Sequence, residues 1–344
     1  MTTAWLTLRG SRLTWLVLAG AFVGARALAQ KTRRQTLAGK NVLVTGGSRG
    51  LGLEIARVLV ARGAHVAIVA RDAAELERAL EALREVAAPK VRLVAEVSDL
   101  SEPGAAESVL TRVRARLGPI DVLVNNAGVI QVGPLDSMTH ADFEHAMRVH
   151  YFAPLELMLG VRADMRERGG GRIANVASIG GVVSVPHLLP YSGSKFALVG
   201  LSRGMRSELA AEGTLVTTVI PGLMRTGSPR NATFKGEHEK EYAWFKLSDS
   251  LPGVSISARR AAWRIVRAIE HGESEIALSW AAQAATVASG LAPGFVAAAL
   301  AVVQRLLPRG KDPTPFRGSA SESKLAPRAL TFLTDRAAIR NNQG

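Results

Sequence analysis

The stretch that decides the fold is residues 40–72, "KNVLVTGGSRGLGLEIARVLVARGAHVAIVARD". Asn41 to Thr45 is a short apolar, β-branched run with the composition of a strand. Gly46, Gly50 and Gly52 then punctuate a turn, and Leu53 to Arg62 carries its apolar residues at helical spacing. A second strand follows, Val66 to Ala70. Strand, glycine turn, helix and strand in that order set backbone N–H groups at a helix N-terminus, a place suited to a pyrophosphate. Glycine belongs in such a turn because a Cβ would block close approach of the phosphates.

Working outward, the alternation continues. "VSDLSE" (97–102) follows a third strand, "NNAG" (125–128) follows a fourth at Val122 to Val124, and "RIANVASIGG" (172–181) contains a fifth that ends near Ser178. "PGLMRTG" (221–227) follows a sixth strand, Leu215 to Ile220, and a last strand is expected near Glu275 to Ser279. Strands alternating with helices predict a parallel sheet covered on both faces. Between the fifth and sixth strands stands "YSGSK" (191–195). Tyr191 and Lys195 fall on one face of a helix, one turn apart, a spacing that fits either shared chemistry or a plain polar helix start.

The turn in the form Thr45-Gly46-Gly47-Ser48-Arg49-Gly50-Leu51-Gly52, with Asp99, Asn125 to Gly128, Ser178, Tyr191, Lys195 and Pro221 to Gly227 in order, resembles the short-chain dehydrogenase/reductase family. The resemblance covers residues 38–280 and decides the YSGSK question in favour of chemistry. It implies an α/β fold: a Rossmann-type doubly wound parallel sheet of about seven strands, here with an apolar helical C-terminal extension. It implies that Ser178 hydrogen-bonds the substrate oxygen and that Tyr191 donates or accepts its proton. Lys195 is expected to lower the pKa of the Tyr191 phenol, ordinarily about 10, and to hold the nicotinamide ribose. The implied cofactor contacts are Thr45, Gly46, Ser48, Arg49, Gly50, Leu51, Gly52, Arg71, Asp99 (on adenine), Leu100, Asn126, Ala127, Gly128, Tyr191, Lys195, Pro221, Gly222 and Thr226. A homo-oligomer, dimer or tetramer, is implied as well.

One position departs from the pattern. His150, in "MRVHYFAP" (147–154), stands where most members of the family have Asn. In them the main-chain carbonyl of that residue is thought to hold a water linking the Lys to solvent. His150 is therefore either a neutral spacer that preserves a local helix distortion, which we favour, or a working part of the proton path that titrates below its ordinary 6.5.

The end of the second strand bears on which cofactor is used. An acid there would hydrogen-bond the 2′-hydroxyl of NAD. Ala70 stands there instead, followed by Arg71, and Arg49 lies inside the turn. Two guanidinium groups suit a 2′-phosphate, so NADP(H) and reduction are expected. Asp72 argues weakly the other way, but it is explained as the N-cap of "AAELERALEALREV".

Composition excludes several classes. The 344 residues are 47% hydrophobic and 21% charged, ordinary for a globular chain with a large core. Without Cys there is no disulfide framework, thiolate metal site or thiol nucleophile, and the seven His lack metal-binding spacing, so no metal is expected. The net charge of +14 sits at the ends: residues 1–40 hold seven Lys or Arg and no acid, and residues 308–344 hold seven basic and three acidic side chains. A nucleic-acid binder would carry its basic face on the folded body; basic ends beside apolar segments point to an anionic membrane surface.

Those segments are Leu13 to Ala25, uncharged between Arg12 and Arg26, and Ile276 to Gln304, uncharged throughout. The first is a membrane anchor or interfacial helix, a cleaved signal, or a helix packed on the protein. Thirteen uncharged residues fall short of the ~20 that cross a bilayer, and the cations after the run keep that side in the cytoplasm. The second is broken at Pro293 into two expected short helices: a membrane-dipping hairpin, a wall of a lipophilic pocket, or a dimer contact.

The chain thus divides into an apolar, basic N-terminal anchor segment (1–37), the dehydrogenase/reductase domain (38–280), the apolar helical extension (281–307) and a polar basic tail (308–344) with a short helix at "RALTFLTDRAAIR". Residues 223–257 form a long polar stretch with embedded aromatics, which in the family is the mobile substrate lid. The combined expectation is a membrane-associated NADPH-dependent ketone reductase of a lipid-like carbonyl, its catalytic domain in the cytoplasm. It resembles membrane-bound members of the family that handle steroids or ketosphinganine. The rivals are a soluble NADP-linked dehydrogenase of small secondary alcohols and a cofactor-binding scaffold or redox sensor without turnover.

Overall fold

The computed structural model describes residues 33–250, 255–323, 325 and 328–343. The expected N-terminal anchor up to residue 32 lies outside them. The first strand, β1 (Asn41–Thr45), is buried along its whole length and turns through the glycines into α1 (Gly50–Ala61). The helix begins at Gly50 rather than at Leu53, so the Gly50 and Gly52 amides fall in its first turn, where N–H groups have no partner within the helix.

The alternation then runs β2 (His65–Ala70), α2 (Ala73–Arg84), β3 (Leu93–Val97), α3 (Ala105–Leu117) and β4 (Val122–Asn125). Asp72 caps α2 as expected, accepting from the Glu75 N–H at 2.8 Å. Next, α4 (His140–Met147) passes through a π turn at Arg148–Phe152 into α5 (Ala153–Glu167). There follow β5 (Arg172–Val176), α6 (Leu189–Leu209), β6 (Leu215–Ile220), α7 (His238–Ser250), α8 (Ala258–His271) and β7 (Glu275–Ala277). The chain closes with α9 (Trp280–Leu291), α10 (Pro293–Gln304) and α11 (Arg328–Arg340).

The seven strands form one sheet in the order β7-β6-β5-β4-β1-β2-β3, every neighbouring pair parallel. Such strands are buried on both sides, which is why they read as continuous apolar runs. On one face Leu59 of α1, Leu83 of α2 and Ile265 of α8 pack on Val42, Val44 and Ile68. On the other, Val113 of α3, Met158 of α5 and Leu209 of α6 pack on Leu43, Leu123 and Ile173. Each such side chain contributes about 1.5–3 kcal/mol by leaving water. Where β1 and β4 lie side by side, the chain departs in opposite directions, and a crevice opens beyond their C-terminal ends.

Residues 308–344 are more than a tail. Phe316–Arg317 pairs antiparallel with Thr233–Phe234, which itself pairs with Gln131–Val132. Phe316 stacks on His238 at 4.0 Å, and the buried Lys246 of α7 bonds Glu322 at 3.0 Å and Asp335 of α11 at 2.9 Å. The charges that made this segment look like solvated linker are, in part, the partners of a buried lysine.

The α9–α10 pair breaks before Pro293, whose ring and missing N–H are tolerated only in a first helical turn. The two helices meet at 119°, and no single described helix is long and apolar enough to cross a membrane. Trp280, Leu291, Phe295 and Leu306 are exposed, Leu291 by 82%.

Candidate active site

The crevice is fastened from beneath. Thr45, at the end of β1, accepts through Oγ1 from the N–H groups of Asn126 and Ala127 at 3.0 Å each, and Asn126 Nδ2 donates to the carbonyls of Thr45 and Gly46 at 3.1 Å. These four expected cofactor residues thus turn their polar groups toward each other and lock the glycine turn to β4. Gly46 needs its glycine twice over: its φ is +62°, and a Cβ would stand 2.9 Å from Ala127 Cα. Gly50, at φ +58°, opens α1, with Leu51 packed against the core behind it and Gly52 too close to the Gly46 carbonyl for any side chain.

Beside the turn lies a group the sequence did not reveal. Glu75, in the first turn of α2, accepts from Arg49 Nη1 at 2.6 Å and from Ser48 Oγ at 3.0 Å. Arg71 is largely exposed and faces Asp99 at 3.6 Å. Burial acts to raise the Asp99 carboxyl, but two bonds from Ser101 and the Arg71 charge hold it below its ordinary value. Leu100 packs partly against the second core. Helix N–H groups, a serine and two guanidinium groups form a donor set that fits the phosphates of a dinucleotide, with Ser48 and Arg49 held by Glu75 and Arg71 facing Asp99.

Across the crevice β5 delivers Ser178, whose Oγ accepts from the Gly180 N–H at 3.0 Å. α6 brings Tyr191 in its first turn and Lys195 one turn later. Lys195 is buried, donates from Nζ to the Val176 carbonyl at 2.8 Å and lies 5.8 Å from the centre of the Tyr191 ring. Burial pulls Lys195 down to about 7.

For Tyr191 the structure corrects the expectation. Although the residue keeps part of its surface, burial of its phenol pushes it up to about 12, a hydrogen bond with Ser178 opposes this, and the charge of Asp249 adds to it. The lysine does not win: its ammonium is tied to a carbonyl, and its own charge is disfavoured by burial. Asp249, on α7, is a second group missed in the sequence. It is buried, and burial raises its carboxyl to about 7. Nothing local in "FKLSDS" distinguishes it from a solvated lid residue.

His150 sits in the π turn behind Tyr191 and is fully buried. Its Nε2 accepts from the Val129 N–H at 3.1 Å, which leaves the proton on Nδ1 for Ser194 Oγ at 2.8 Å; Ser194 in turn donates to the Tyr191 carbonyl at 2.9 Å. Burial first, then the charges of Lys195 and His145, hold the ring well below 6.5. A neutral imidazole spacing the helix, its edge toward the Tyr191 ring at 5.5 Å, accounts for all these contacts. Gly128 leaves it room, since a Cβ there would come within 3.0 Å of Nε2.

The remaining wall is the loop after β6. The Pro221 carbonyl accepts from the Ile179 N–H at 2.7 Å, Gly222 lies under Ser279, and Thr226 Oγ1 meets Ser228 Oγ at 2.6 Å. The crevice therefore gathers Ser178, Tyr191 and Lys195 on one side and the glycine turn on the other.

A family model described as short chain dehydrogenase matches residues 40–235. The chain belongs to that family. It is accordingly grouped with oxidoreductases that use a nicotinamide dinucleotide. It is 35% identical over 187 residues to a ketoacyl reductase of Nostoc sp., covering 54% of this chain and 64% of that protein. It is 32% identical over 267 residues to the dehydrogenase/reductase SDR family protein 7-like of Drosophila melanogaster, covering 77% and 79%. Among solved structures, L-sorbose reductase from Gluconobacter frateurii, complexed with NADPH and L-sorbose, superposes with a TM-score of 0.63 at 26% identity, covering 71% of this chain and 96% of that one.

Proposed function

We propose that this short chain dehydrogenase is an NADPH-dependent reductase of a ketone on a hydrophobic substrate, working at a membrane surface. The observation that carries the chemistry is the meeting of Ser178, Tyr191 and Lys195 at the mouth of the β1/β4 crevice. NADPH, when bound, supplies the hydride. Ser178 holds the substrate oxygen, and Tyr191, neutral at about 12, gives its proton to that oxygen. Lys195, poised at about 7, is positioned to replenish that proton and to hold the ribose. His150 fixes the start of α6 through Ser194 and takes up no charge.

The phosphate preference rests on Arg49, Arg71 and Ser48, together with the NADPH complex of L-sorbose reductase. The hydrophobic substrate and the membrane rest on the exposed apolar faces of α9 and α10, which carry no charge from Ile276 to Gln304. A homo-oligomer of two or four copies remains part of the proposal. A second reading, a dehydrogenase of small polar secondary alcohols, is favoured by one feature: the buried carboxyl of Asp249 near Tyr191 suits a substrate bearing further hydroxyls. Following NADPH oxidation against keto-lipids, ketosteroids and small hydroxyketones separates the two. The proposal expects turnover with the lipophilic ketones; turnover confined to hydroxyketones would overturn it.

A further inference from the structure

Residues 341–343 lie in the crevice itself. α11 ends at Arg340, and two residues on Asn342 has a φ of +55°, the left-handed conformation that Asn tolerates better than most residues. Residues 341–343 meet the glycine turn there. The Gly50 N–H, the first amide of α1, donates to the Asn341 carbonyl at 2.9 Å. Asn342 Nδ2 donates to the carbonyls of Ser48 at 2.9 Å and Glu75 at 3.1 Å. Gln343 reaches both lips of the crevice: its Oε1 accepts from the Gly227 N–H at 2.7 Å, and its amide lies 3.3 Å from where a Gly50 Cβ would stand.

We infer that residues 341–343 are a built-in competitor of the dinucleotide, a plug that must leave the glycine turn before the cofactor's pyrophosphate can bind there. The inference rests on the cofactor reading above. An amide N–H that is given to a peptide carbonyl is not available to a phosphate oxygen, and the Gln343 side chain spans the corridor from Gly50 to Gly227. The plug also holds the carbonyl of Glu75, whose carboxylate holds Arg49 and Ser48. Being uncharged, the plug gains less from the helix N-terminus than a pyrophosphate does, so sufficient cofactor displaces it.

The test measures NADPH affinity by its fluorescence in three forms: the full chain, a chain ending at Arg340, and Asn342→Ala as a milder variant. Each form is checked for an unchanged thermal transition. If the plug occupies the site nine-tenths of the time, both variants should bind NADPH more tightly, the truncation by about tenfold, because apparent affinity is reduced by the competent fraction. Adding NADPH to the full chain should also speed hydrogen exchange in residues 341–343. Equal affinities in all three forms, or weaker binding by the truncation, would overturn the inference while leaving the cofactor reading intact. Binding of NADPH by none of the forms would overturn both.

Discussion

Replacing Asp249 by Asn tests how this α7 carboxyl is held, and its effect follows from the structure. Burial raises that carboxyl from 3.8 to about 7. A carboxyl with a raised folded-state pKa costs stability above its unfolded pKa: the unfolded chain gives up the proton from about pH 4, whereas the folded chain keeps it until about 7. The cost grows through that window and levels off above it, reaching about 4 kcal/mol at ~1.4 kcal/mol per pH unit. At pH 5 only about a third of it has developed. Asp249→Asn removes the titration, so its stability relative to the parent should rise by about 2 to 3 kcal/mol between pH 5 and pH 8, whatever constant offset the new amide introduces. Urea unfolding of both proteins at the two pH values measures this directly. An offset that is the same at pH 5 and pH 8 would refute the reasoning, because it would mean that Asp249 ionises in the folded chain as readily as in water.

Three further outcomes are expected. Arg71→Asp should lower kcat/KM for NADPH by about tenfold to a hundredfold, the scale of a lost charge-assisted contact, while sparing NADH; steady-state kinetics with both cofactors checks it, and a parent enzyme that prefers NADH contradicts it. His150→Asn should keep activity within about tenfold, ~1.4 kcal/mol of barrier, and leave the acid limb of the kcat profile in place, because the imidazole is already neutral; loss of that limb would make the ring a proton carrier. Leu291→Glu with Phe295→Glu should reduce co-sedimentation with anionic liposomes without changing the thermal transition, since both side chains are exposed; unchanged sedimentation would remove α9 and α10 from the membrane contact.

Much of the fold is legible in the chain because it is written locally. β1, β6 and α11 occupy the residues that hydrophobic spacing marks, and the break at Pro293 follows from one ring and one missing N–H. The glycine turn and the Tyr191/Lys195 pair are equally plain, since each is a short motif on a strand end or a helix face. The rest depends on contacts between distant residues. Glu75 reads as a surface helix residue until Arg49 and Ser48 are brought to it, and Asp249 reads as a polar lid residue until α7 is folded down over Tyr191. Asn342 lies 294 positions from Ser48, and no periodicity connects them. The Tyr191 phenol went the opposite way from expectation for a similar reason: a sequence shows a lysine one turn away but not the burial that outweighs it.

The central claim, that Tyr191 is the proton donor of an NADPH-dependent reductase, is tested most directly by Tyr191→Phe. The measurement pairs a titration of NADPH binding with the rate of NADPH oxidation on any ketone the parent reduces. NADPH affinity should stay within about threefold of the parent, less than ~1 kcal/mol, with no detectable oxidation. Continued turnover by the variant would contradict the assignment, and loss of NADPH binding would make Tyr191 a structural residue of the crevice rather than its acid.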